Sequence, residues 1–69
     1  MTKKEYEEQY SGALAELRSR KFRVASPHTA PDGIRRVQID GVACVDGAVF
    51  EKAWGLEIAE KILRERSLG

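Results

Sequence analysis

Asp40-Gly41 lies between two short runs, Arg35-Arg36-Val37-Gln38-Ile39 and Val42-Ala43-Cys44-Val45, and no other feature of the chain restricts its fold as much. An Asp-Gly pair flanked by alternating apolar residues marks a two-residue β-hairpin. Both central positions of a type I′ turn need positive φ, which Asp tolerates and Gly adopts without strain. Such a turn pairs Ile39 with Val42 and Val37 with Cys44, so these four side chains share one face while Gln38 and Ala43 take the other. The hairpin should therefore present an apolar face that helices must cover.

The segments on either side supply helices. Thr2 followed by Glu5 is a capping box, in which each side chain satisfies a backbone amide left free at a helix start. The helix it opens, from about Lys3, carries Tyr6, Tyr10, Ala13, Leu14 and Leu17 on one stripe, with acids leading it and Arg18, Arg20 and Lys21 closing it in the order the helix dipole favours. Gly12 lies inside this helix, either at a close helix crossing or simply tolerated. Asp46 is a candidate N-cap for a second helix from about Gly47 to Arg66. Val49, Phe50, Ala53 and Trp54 fall on one side of that helix and Ile58, Ala59, Ile62 and Leu63 on nearly the opposite side, with the change at Gly55. Either the helix breaks or kinks at Gly55, or it stays straight and offers its second half elsewhere. A second subunit could take that half, or the first helix could wrap round to cover it. The last three residues, Ser67 to Gly69, should fray.

Between the helices, Lys21-Phe22-Arg23-Val24 alternates polar and apolar and reads as a short strand with Phe22 and Val24 inward. Ser26 to Gly33, with Pro27 and Pro31, reads as a loop. The expected fold is α+β, in the order α-β-β-β-α, with two helices packed on one face of a small antiparallel β-meander, as one domain spanning residues 1–69.

With 69 residues, such a domain buries only about 60% of its unfolded surface, and small domains compensate by disulfides, metal or association. A single cysteine, Cys44, excludes an internal disulfide and a thiolate zinc site, which leaves association. Twelve Lys and Arg against eleven Asp and Glu argue against general nucleic-acid binding. The sequence shows no apolar run long enough for a membrane span and no signal-peptide core, so a cytoplasmic protein without membrane contact is expected.

No catalytic signature emerges. His28, the only histidine, has no nucleophile to activate, because Cys44 should point into the core as a small hydrophobe. Asp32, Asp40 and Asp46 match no calcium loop, and each suits a turn or a cap. No phosphate-binding glycine motif is present. An enzyme is therefore not expected, nor a cofactor, nor a metal. One charge feature stands out. Arg18, Arg20, Lys21, Arg23, Arg35 and Arg36 contribute half of the positive charge within 19 positions, with Asp32 the only acid among them. Such a basic patch could bind nucleic-acid phosphates, or it could be a solvated face that keeps edge strands apart. No aromatic is interleaved for base stacking.

The Met1-Thr2 start, Ala13-Leu14 and Leu17, Lys21 with Val24, and Asp32-Gly33 leading to Arg36-Val37 make the first half of the chain look like the small head-completion (head-to-tail joining) proteins of tailed phages. Residues 40–54 have no counterpart there, and the apolar tail of such proteins is missing from residues 65–69, so no functional residue carries over. The resemblance implies a structural assembly protein without catalysis. The function expected from the sequence is a non-enzymatic protein-interaction module of bacterial or phage type. Its contact surface would be Trp54, Ile58, Ala59, Ile62 and Leu63, with a protein partner or a second copy. Phage assembly and nucleic-acid binding are the alternatives.

Overall fold

The computed structural model describes residues 1–68, and side chains through Arg66. Helix α1 spans Lys3–Ser19, strands β1, β2 and β3 span His28–Thr29, Arg35–Ile39 and Val42–Val45, and helices α2 and α3 span Asp46–Trp54 and Leu56–Leu68. The strands form one antiparallel sheet in the order β1-β2-β3. Helices on a small antiparallel sheet are what the sequence pattern required. The frayed end expected at residues 67–69 lies outside the described residues for Gly69 and for the two side chains before it.

The hairpin forms in the expected register, Ile39 opposite Val42 and Val37 opposite Cys44. Asp40 and Gly41 both adopt positive φ, 51° and 80°, as a type I′ turn demands. Val37, Ile39 and Cys44 are buried. Val42 is not: it remains 59% exposed, because it sits at the tip of the edge strand, whereas α2 begins at the strand's other end. The Thr2–Glu5 capping box is present, and α1 buries Tyr6, Tyr10, Ala13, Leu14 and Leu17. Phe50 fills the centre of the core, with the rings of Tyr6 and Tyr10 edge-on to it and Trp54 stacked alongside.

Three local expectations give way. The strand expected at Lys21 to Val24 is reduced to one bridge, Val24 to Ile39, because the helix C-terminus claims the backbone first. Phe22 N donates to Leu17 O and Lys21 N to Arg18 O, with Lys21 at φ 73°, which is a Schellman motif built without glycine. The third strand is instead His28–Thr29, inside the segment expected to be loop. Its brevity follows from Pro27 and Pro31, which lack the amide a longer ladder would use. The N-cap of α2 is Val45, with no side-chain cap bond, and Asp46 stands one position further on because its carboxylate is engaged elsewhere.

The second helical pattern breaks at Gly55, which takes φ 97°. The turn lets α3 fold back, so Ala59 and Ile62 join the same core as Val49, Phe50 and Ala53. The first apolar face and two residues of the opposite one, Ala59 and Ile62, are thereby buried in one core.

Candidate functional site: a satisfied arginine beside an open groove

Strand parity places Arg35 on the inward face with Val37 and Ile39, so it does not join the basic patch. Its guanidinium lies 3.6 Å from the centre of the Tyr10 ring. Nε and Nη2 donate to Oδ1 and Oδ2 of Asp46 at 3.1 and 2.8 Å, and Nη1 donates to Glu7 Oε1 at 2.8 Å. The Tyr6 hydroxyl donates to the same Asp46 Oδ2 at 2.5 Å. Arg66 stacks over the Tyr6 ring at 4.7 Å and donates to its hydroxyl at 3.3 Å. One network thus joins α1, β2, α2 and α3.

The electrostatics follow from this geometry. Burial pushes the Tyr6 hydroxyl up to about 12, assisted by its hydrogen bond to Asp46. Tyr10 is also raised, by burial, against the opposing pull of the Arg35 charge. The bonds to Asp46, and next to them the bond to Glu7, hold Arg35 protonated more firmly than usual, against its own desolvation. Arg35, Asp46 and Glu7 are paired with one another, whereas Arg66 meets the ring and hydroxyl of Tyr6. The Tyr10 hydroxyl is buried without a hydrogen-bond partner among the described residues.

Above the network lies an open groove of about 750 Å³. It runs between the start of α1, the end of α3, and the sheet end where β2 begins and β3 finishes. Ile34 and Val45, 46% and 45% exposed, give it an apolar wall to which Leu63 adds, and Lys3 and Arg66 bring charge to its rim. Neither Lys3 nor Arg66 has a carboxylate within 4.0 Å among the described residues.

The residues singled out by sequence are scattered around this site. Of the basic patch, Arg35 is withdrawn, Arg20 pairs with Glu16 and Arg36 with Asp32, which leaves Arg18, Lys21 and Arg23 exposed. Of the expected contact surface, Ala59 and Ile62 are buried within the chain and Trp54 packs against its core. Ile58 remains exposed, joined by Leu56, and Leu63 is half-buried at the groove. His28 is exposed on β1, and Cys44 is buried. Asp32 closes a local turn by accepting from Ile34 N, and Asp40 accepts from Arg23 N. Among the described residues, no cluster of three or more potential metal ligands occurs, and no helix is long and apolar enough to cross a membrane. Sequence reasoning missed Glu7, Tyr10 and Asp46 as partners of Arg35, Tyr6 as a donor to Asp46, and Lys3 and Arg66 as groove residues. The parity of β2, already used for Val37 and Ile39, was the signal that could have placed Arg35. Compared with protein-family models, curated proteins and solved structures, the chain matches none.

Proposed function

We propose that this protein is a cytoplasmic, non-enzymatic interaction module that receives a protein partner in the groove beside Arg35. One observation carries the reading: the groove keeps Ile34 and Val45 nearly half exposed directly beside two carboxylates that Arg35 already holds. Glu7 and Asp46 are engaged by Arg35, and Tyr6 is a hydrogen-bond donor held protonated. None of these groups is poised as a base or nucleophile. A rigid polar floor under an apolar wall with a charged rim instead has the anatomy of a protein contact. Assembly into a larger particle, the role the head-completion resemblance implies, would use a contact of this kind. Nucleic-acid binding is the weaker reading, because three of the six expected basic residues are paired or withdrawn.

A selection from a randomised displayed-peptide library against the intact chain tests the proposal. Binders should be recovered and should be lost against an Ile34→Glu, Val45→Glu variant that keeps its near-ultraviolet circular dichroism. No binders, or binders indifferent to those changes, would overturn it.

A further inference from the structure

We infer that the occupant of the groove is an acidic segment of a partner protein in which carboxylates neighbour aliphatic side chains. This inference rests on the docking reading above and names the chemistry of the partner. The groove carries three cations, Lys3, Arg35 and Arg66, and two acids, Glu7 and Asp46, among its lining residues. Arg35 bridges both acids but offsets only one of their two negative charges. The three lining cations thus outnumber the two acids by one charge, and the cations without a carboxylate partner among the described residues are Lys3 and Arg66. The aromatic face and hydroxyl of Tyr6 position the Arg66 guanidinium but do not neutralise it.

This arrangement discriminates among partners. A basic segment would meet two like charges without carboxylate partners, which costs affinity, and would have to compete with Arg35 for Glu7 and Asp46. A purely apolar segment would cover Ile34, Val45 and Leu63 but strip water from Lys3 and Arg66 with nothing in exchange. A segment carrying Asp or Glu beside Leu, Ile or Val satisfies the rim and the wall together. Arg66 can accept a carboxylate through two nitrogens in the planar fork that its stacking on Tyr6 already orders, and Lys3 supplies a mobile point charge at the other side. A protein segment fits better than a small carboxylate, because the groove is open to solvent and would leave much of a small ligand uncovered.

The same displayed-peptide selection, run at low and at elevated salt, tests the inference. Recovered peptides should be enriched in Asp and Glu adjacent to aliphatic residues. Synthesised binders should lose roughly tenfold or more in affinity toward a Lys3→Glu, Arg66→Glu variant, and should weaken with salt. Lys3→Glu by itself keeps the fold, since the first turn of a helix favours an acid, and should weaken binding in the same direction if the double variant does not fold. Binders that require Ile34 and Val45 but show no acidic enrichment, or no response to Lys3→Glu, would overturn the acidic occupant and leave the docking reading standing. No binders at all would overturn both.

Discussion

Arg35 and Asp46, the first residue of β2 and the first of α2, are joined by two parallel hydrogen bonds, at 3.1 and 2.8 Å. This fork ties the sheet to the helix that follows it, and Tyr6 brings α1 to the same carboxylate. Their side chains are only 21% and 14% exposed, so removing one partner leaves the other poorly hydrated. Arg35→Leu should cost about 2–3 kcal/mol, somewhat less than for a fully buried pair. Arg35→Lys should recover only part of this, because an ammonium cannot reproduce the two parallel bonds or the stacking on Tyr10. Urea denaturation of the three proteins checks the order, and equal midpoints for the Leu and Lys variants would refute it.

The two core tyrosines should respond oppositely to loss of their hydroxyls. Tyr6→Phe removes a donor from Asp46 and should lower stability by about 1 kcal/mol. Tyr10→Phe removes a buried hydroxyl that has no partner, so stability should stay level or rise by up to about 1 kcal/mol. Thermal melting of both variants beside the parent reads the difference.

Alkaline unfolding should carry the signature of Tyr6. Its folded-state value, about 12, lies above the ordinary tyrosine value of 10.0. Between these two values the folded chain therefore retains a proton that the unfolded chain has released. Stability is then fully present below about pH 10 and falls as pH rises toward 12, with Tyr10 contributing in the same direction. In Tyr6→Phe the slope of unfolding free energy against pH should flatten over that window. An unchanged slope would place the titrating group elsewhere.

Two exchanges involving glycine should each stabilise the chain, for opposite reasons. A Cβ added at Gly12 would meet Trp54 at 3.7 Å, ordinary van der Waals contact, so Gly12→Ala should gain about 0.5–1 kcal/mol by restricting the unfolded backbone. Lys21 holds φ 73° at the end of α1, where glycine is the favoured residue, and Lys21→Gly should gain a similar amount, about 0.5–1 kcal/mol. By contrast, Gly55→Ala should lose about 1 kcal/mol or more, because φ 97° suits only glycine. Midpoints from chemical denaturation rank the three variants.

Local chemistry settled much of this protein in advance. Asp40-Gly41 dictated the turn and with it the register. Thr2 and Glu5 dictated the start of α1, and the spacing of Tyr6, Tyr10, Ala13, Leu14 and Leu17 dictated its buried stripe. Each depends on residues within a turn or two of one another, so the sequence states it directly. Competition among backbone groups was harder to read. Alternation at Lys21 to Val24 suggested a strand, but the carbonyls of Leu17 and Arg18 took the amides of Phe22 and Lys21 first. The change of apolar face at Gly55 was visible, while the choice between a second subunit and a fold-back was not.

The tertiary structure alone decided the fate of the charges and of the groove. Arg35 and Asp46 are 11 residues apart, Arg35 and Glu7 are 28 apart, and Arg66 and Tyr6 are 60 apart. No periodicity relates such positions, because a charge acts through distance in space and through the water excluded around it. The sequence determined which residues face inward along each element and where the elements turn. Only their packing determined which inward-facing charges would meet and which cations would be left at the rim of the groove.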